Sequence, residues 1–97
     1  MRADVVALQL APEPGEVEAN LEQLARAVGA LDPGADLIVA PELVNTGYDL
    51  EVLETRGLEL AETVDGPTVT LLSELAAERG ATIVAGFLER EDDALYD

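Results

Sequence analysis

The stretch from residue 36 to residue 48 reads DLIVAPELVNTGY and joins an apolar run, a carboxylate and a tight turn. The continuous apolar residues Leu37–Ala40 predict a buried strand. Glu42 follows almost at once, and a turn at Thr46 and Gly47 is expected to bring the neighbouring residues back beside it. Ligand chemistry in open α/β sheets collects at the carboxyl ends of the strands, so Glu42 is the first candidate for catalysis.

The residues on either side of this stretch alternate between strand and helix patterns. Apolar residues three and four positions apart indicate helix faces, and prolines and glycines indicate where the helices begin and end. The predicted elements are a strand over Asp4–Leu10, a helix over Glu16–Leu31, a strand over Leu37–Ala40, a helix over Gly66–Gly80, a strand over Thr82–Leu88 and the start of a fourth strand at Ala94–Tyr96.

The order strand, helix, strand, helix, strand predicts an α/β fold with right-handed crossovers and a sheet covered by helices. The first strand, which contains the β-branched Val5 and Val6, is expected to be covered on both faces. No linker rich in Pro, Gly or Ser interrupts the sequence. Residues 1–97 are therefore predicted to belong to a single domain.

The charge balance excludes several classes of partner. The 97 residues contain 21 Asp and Glu against five Lys and Arg, for a formal net charge of −16. Such a field repels phosphate backbones and anionic membranes, so we predict neither a nucleic-acid nor a membrane partner. The charges are spread along the chain, which favours a solvated acidic surface over an acidic docking function. Because no apolar run approaches the ~20 residues of a membrane helix, and Asp4 lies where a signal peptide is basic, we expect a cytoplasmic protein.

The chain has no Cys, no His and no Lys. Disulfides, thiolate and imidazole metal ligands and the usual partners of a catalytic glutamate are therefore missing. Acidic residues cluster only at Glu89, Glu91, Asp92 and Asp93, where a hairpin turn is expected. A calcium site at this turn is only a weak alternative, so we predict no metal site and no cofactor. From propensity alone, Glu42 would be an ordinary loop residue.

Several segments resemble, in order and spacing, the nitrilase or carbon–nitrogen hydrolase superfamily. The resemblance runs from end to end, and it departs from the family's pattern at Asp97, where Asn is common. The matching segments are Val6–Leu10, Asn20–Leu21, Ala35–Leu43 followed by Thr46–Tyr48, Gly66–Thr68, Ile83–Arg90 and Leu95–Tyr96.

The resemblance implies the amino-terminal β-α-β-α-β part of an α-β-β-α sandwich, truncated before the family's lysine and cysteine motifs. In this family a glutamate, a lysine and a cysteine cleave a non-peptide amide, nitrile or carbamoyl C–N bond through a thioester. Glu42 matches the glutamate, which implies that it is the general base. The intact protein is then expected to be an enzyme that forms homo-oligomers, and these 97 residues alone are expected to be inactive. The Asn-Thr-Gly-Tyr turn slightly favours an amide substrate.

Two neighbours of Glu42 are candidate substrate-binding residues. The hydroxyl of Tyr48 could line the pocket, although a Tyr after a Thr-Gly turn is as often a packing residue. Asn45 could contact substrate, although Asn before Thr-Gly is also ordinary turn chemistry. Gln9, a polar residue in the predicted first strand, is expected to be a hydrogen-bonded core residue.

A non-catalytic interpretation remains open beside the enzymatic one. The chain could be an acidic α/β binding or interaction module that kept the scaffold and lost the chemistry. The two interpretations differ in the residues expected beyond Asp97, because an enzyme requires a further strand, a lysine and later a cysteine. A sequence that ends within a predicted strand leaves an unpaired edge, and this favours the enzyme fragment.

Overall fold

The computed structural model describes residues 3–91 and 94–96. The elements, in chain order, are β1 (Val5–Ala7), α1 (Val17–Gly29), β2 (Leu37–Val39), α2 (Leu50–Leu60), α3 (Pro67–Arg79), β3 (Thr82–Val84), β4 (Glu89–Glu91) and β5 (Ala94–Tyr96).

Strands β1, β2 and β3 form a parallel sheet with β2 in the middle. Val6, Ile38 and Ile83 lie in register across the three strands. The predicted α/β fold with a parallel sheet is therefore confirmed. Each strand is shorter than the sequence pattern indicated, because the ladder of paired residues ends after three positions while the apolar residues continue into the loops.

Helices α1 and α3 cover one face of this sheet. Leu24 and Val28 of α1 and Leu75 of α3 pack with Ile38 into one buried cluster. Because residues of both helices belong to this one cluster, α1 and α3 lie on the same side of the sheet, as expected for two right-handed crossovers that step in the same direction. The helix ends follow the sequence signals, since Pro67 occupies the first turn of α3 and Gly80 ends it at φ 61°.

Among the residues that the structure describes, none covers the opposite face of the sheet. Val5 is 61% exposed and Val84 is 52% exposed. The expectation that the first strand is covered on both faces is therefore wrong for these residues, because no described element packs on that side. Gln9 is also exposed and lies beyond the end of β1, so its assignment as a core residue is wrong.

Helix α2 was not predicted from the sequence. Asp49 caps its first turn, with the carboxylate Oδ1 accepting from the Val52 amide at 3.1 Å. Its only buried residue is Gly57, so it lacks the broad apolar stripe that reveals α1. The hairpin expected near residue 90 forms from β4 and β5, which pair antiparallel, while Asp92 and Asp93 lie outside the described residues. Among the described helices, none combines the length and apolarity needed to cross a membrane.

Candidate functional site

Glu42 lies at the carboxyl end of the middle strand of the sheet. It follows β2 by three residues and its side chain is exposed. The segment before and after it crosses the end of β3, because the Ala40 amide donates to the Val84 carbonyl at 2.8 Å and the Val44 amide donates to the Gly86 carbonyl at 3.0 Å. These bonds hold the backbone on both sides of Glu42 to the end of β3 and to the segment that follows it, so the exposed Glu42 lies on an anchored loop. We call residues 40–49, between β2 and α2, the Glu42 loop.

The backbone directly after Glu42 has a left-handed conformation. Leu43 has φ 52°, a region that costs a residue with a Cβ roughly 1–2 kcal/mol. Two features offset this cost: the Leu43 side chain is buried against Ala61 and Leu88, and its carbonyl accepts from the Gly47 amide at 2.8 Å. Tertiary packing therefore holds this turn, and the turn reverses the direction of the chain just beyond Glu42.

Asn45 is fully buried beneath this turn, and its amide side chain is used inside the protein. Nδ2 donates to Oε2 of Glu62 at 3.0 Å, and Oδ1 accepts from the Leu88 amide at 3.3 Å. A backbone N–H only donates and a carboxylate only accepts, so these two partners determine which way the amide points. Asn45 as a substrate contact stays a prediction.

Glu62 connects the Glu42 loop to the start of α3. Its Oε1 accepts from the Thr68 amide at 2.7 Å, and its Oε2 accepts from the Thr68 hydroxyl at 2.6 Å as well as from Asn45. Gly66 is the N-cap residue of α3 and has no side chain, so Glu62 supplies the acceptor for this helix start. The backbone of Glu62 also bonds to Leu88 and Arg90.

Asn20 of α1 supports the loop from the other side. Its Nδ2 donates to the Asn45 carbonyl at 2.8 Å and to the Glu13 carbonyl at 2.8 Å, while its Oδ1 accepts from the Glu13 amide at 2.7 Å. The Gly15 amide donates to the Thr46 carbonyl at 2.8 Å. The Glu42 loop is therefore tied to the segment before α1, to α1 itself and to the start of α3.

The three residues predicted from sequence to form the site share one loop but differ in burial. Glu42 and Tyr48 are exposed, Tyr48 to 73%, whereas Asn45 has no exposed surface. The use of Tyr48 in substrate binding stays a prediction. Glu62 and Thr68 were not predicted as parts of the site. A single Glu after a helix has no recognisable sequence pattern, and Gly66–Thr68 was identified only as a motif of the resemblance.

An exposed carboxylate on an anchored loop can accept a proton from a group held next to it. The sequence contains no Cys, His or Lys side chain that could act with it. Within the residues that the structure describes, no group of three or more carboxylates is arranged to hold a metal ion.

Comparison with protein families gives one match that spans the site and nearly the whole chain. The family model described as "Carbon-nitrogen hydrolase" matches residues 5–97. The match therefore includes Glu42 and every residue of the hydrogen-bond network below it.

Relatives from distant organisms cover the same region. A protein of Pyrococcus abyssi named "Nitrilase" is 36% identical over 96% of this chain, which corresponds to 36% of the relative. A protein of Francisella tularensis named "Citrullinase" is 33% identical over 96% of this chain, which corresponds to 33% of the relative. The chain thus spans about a third of the length of these curated relatives.

A solved structure shows the same fold. A CN-hydrolase superfamily protein of Xanthomonas campestris superimposes with a TM-score of 0.79 over 92% of this chain and 32% of its own. The two sequences are 24% identical over the aligned residues. Helices on one face of a parallel sheet, with the other face open, are thus the arrangement of one portion of a larger CN-hydrolase fold.

Proposed function

Because this chain belongs to the carbon–nitrogen hydrolase family, we propose that the full-length protein hydrolyses a small non-peptide amide and that Glu42 is its general base. The thiol nucleophile and the cationic group that stabilises the intermediate are supplied by a cysteine and a lysine outside these 97 residues. A region that provides one member of a three-residue catalytic set is inactive alone. If the three catalytic residues are distributed in this way, the family model can match nearly the whole chain although the chain contains the glutamate and has no Cys and no Lys.

The reaction begins when Glu42 takes the proton of the cysteine thiol. The thiolate attacks the amide carbon, forming a C–S bond, and the lysine stabilises the negative charge that develops on oxygen. Glu42 then gives its proton to the nitrogen, the C–N bond breaks and ammonia leaves. Water attacks the thioester while Glu42 takes a proton from that water, and the C–S bond then breaks. The thiolate that leaves takes this proton from Glu42, which regenerates the free thiol and the carboxylate, and the carboxylic acid is released. The balance is one amide and one water consumed for one acid and one ammonia.

The observation that supports this proposal best is the position of Glu42. It lies at the carboxyl end of the middle strand, exposed, on a loop whose backbone is bonded on both sides to the β3 strand and the segment after it. A solvated surface glutamate requires no such support, whereas a proton acceptor must be held within about 3 Å of the group it deprotonates. The left-handed Leu43 beside it is the kind of local strain that occurs at functional sites.

The amide class is proposed over nitriles and carbamoyl compounds on the Asn-Thr-Gly-Tyr turn at residues 45–48. Overall similarity does not separate these classes, because the relatives named nitrilase and citrullinase have nearly equal identity to this chain. Most of the substrate pocket is contributed by residues outside this chain, so the substrate class must be measured.

The test uses the full-length protein and the release of ammonia from butyramide, citrulline and propionitrile. We expect butyramide to react fastest. Glu42→Gln keeps the shape and one hydrogen-bonding oxygen but removes the proton acceptor, so turnover should fall roughly 10²–10⁴-fold. The matched control is Glu54→Gln, which makes the same charge change at an exposed position of α2 and should keep full turnover.

Three results would contradict parts of the proposal. Wild-type turnover in a folded Glu42→Gln protein would remove Glu42 as the base. Faster release from citrulline or propionitrile would replace the amide class and leave the mechanism standing. No release from any of the three compounds would favour the non-catalytic α/β module. The isolated 97 residues should release no ammonia above background, and release that Glu42→Gln abolishes would contradict the need for a thiol.

A further inference from the structure

Glu62 is the residue at which three separate parts of the protein meet. It accepts from Asn45 in the Glu42 loop and from the amide and hydroxyl of Thr68 at the start of α3, while its backbone pairs with the segment that leads into β4. Glu62 is half-buried, in contrast to the exposed acidic residues that account for much of the charge of this chain. Three donors on one carboxylate define a built site.

The neighbouring residues are shaped to admit this carboxylate. A Cβ on Gly66 would lie 2.8 Å from Oε1 of Glu62, closer than non-bonded atoms approach. Pro67 has no N–H, so the Thr68 amide is the first donor that α3 presents. A carboxylate at this point satisfies that donor and interacts favourably with the positive end of the helix.

The direction of each hydrogen bond makes Glu62 difficult to replace. The Leu88 amide donates to Asn45, which leaves the Asn45 Nδ2 as a donor that requires an acceptor. The Thr68 amide also requires an acceptor, at the other oxygen of Glu62. A glutamine offers only one oxygen, so in either orientation one N–H faces another N–H.

We propose that Glu62 is a positioning residue for Glu42, an inference that rests on the proposed function. The carboxylate fixes the amide of Asn45, and Asn45 holds the far side of the left-handed turn at Leu43 that follows Glu42. When the Asn45 contact is lost, the turn relaxes and the base moves from its place beside the thiol. A displacement of about 1 Å costs about 10²-fold in rate, and substrate binding by other residues is unaffected.

The main test is Glu62→Gln in the full-length protein, with the fastest of the three compounds above as substrate. We expect kcat to fall about 10²-fold with KM changed less than threefold. Glu54→Gln is the control for the loss of one charge. The decisive measurement repeats Glu62→Gln in the Glu42→Gln background. If Glu62 acts through Glu42, the second change causes no further loss, because the base is already absent.

A swap variant tests the direction of the contact. Asn45→Asp together with Glu62→Gln places the donor on residue 62 and the acceptor on residue 45. The carboxylate then accepts from the Leu88 amide and from the new glutamine amide, while the glutamine oxygen still accepts from Thr68. We expect the pair to recover kcat to within about tenfold of wild type, whereas each single change remains impaired.

The outcomes separate this inference from the proposed function. Loss of turnover in Glu42→Gln with full turnover in Glu62→Gln overturns the positioning role alone, and full turnover in Glu42→Gln overturns the proposed function. Losses that multiply in the double variant show that Glu62 acts independently of Glu42, which also overturns the inference. If Glu62→Gln fails to fold, a folded and active swap variant supports the inference. An unfolded swap variant makes Glu62 a folding residue and overturns it.

Discussion

The helix-covered face of the sheet and the hydrogen-bond network beneath the Glu42 loop are held together by different forces. On the covered face, Leu24, Val28 and Ile38 pack without polar contacts of their side chains. Under the loop, Asn20, Asn45 and Glu62 form a directional network. Apolar packing tolerates small shifts, whereas a hydrogen bond requires one donor and one acceptor at a fixed distance. The first region provides stability and the second provides geometry.

If this comparison is right, damage to the covered face lowers stability and leaves the geometry of the loop intact. Ile38 is fully buried in the middle strand, so Ile38→Ala should lower the free energy of unfolding by about 2–5 kcal/mol. Ile38→Val, which removes one methylene, should cost about 0.5–1.5 kcal/mol. Denaturant unfolding of the full-length protein measures both. Below the transition we expect near-wild-type kcat for Ile38→Val, and a large loss in that variant would show that the two regions are not separable.

A substitution in the hydrogen-bond network should lower the free energy of unfolding less than Ile38→Ala does, and it should lower kcat more. Asn20→Ala leaves the Asn45 carbonyl and the Glu13 amide without their partner, and it should lower the free energy of unfolding by about 1–3 kcal/mol. The matched control is Gln23→Ala on the same helix, because Oε1 of Gln23 is buried and has no hydrogen-bond partner within the described part of the chain. We expect Gln23→Ala to cost less than Asn20→Ala and to leave kcat unchanged. Equal losses of kcat in the two variants would contradict a specific role for the network.

The smallest expected effect is at Asp49, where the Glu42 loop passes into α2. Asp49→Ala removes the cap on the Val52 amide and should lower the free energy of unfolding by about 1 kcal/mol. Asp49→Asn keeps an acceptor oxygen and should recover most of this loss. Hydrogen exchange of the Val52 and Leu53 amides locates the change. Exchange that rises instead around Asn45 would show that the cap and the network form one unit.

The elements that the sequence predicted are those whose signals are local. Helix α1 was predicted from its apolar stripe, and the ends of α3 were predicted from Pro67 and Gly80. The three parallel strands were predicted from short runs of consecutive apolar residues. Helix α2 was missed because only Gly57 of that helix is buried. The open face was missed because a strand covered on both faces and a strand whose cover lies outside these residues have the same apolar sequence.

The sequence by itself determined the α/β order, the family and the position of Glu42 after the middle strand, because periodicity and motif spacing are properties of neighbouring residues. The tertiary structure decided what supports that glutamate. Asn45 meets Glu62, Asn20 and Leu88 across 17, 25 and 43 residues of sequence. No local pattern specifies which distant donor meets which acceptor. The packing of α1 on the sheet, and of Leu43 against Ala61 and Leu88, brings these groups within hydrogen-bonding distance.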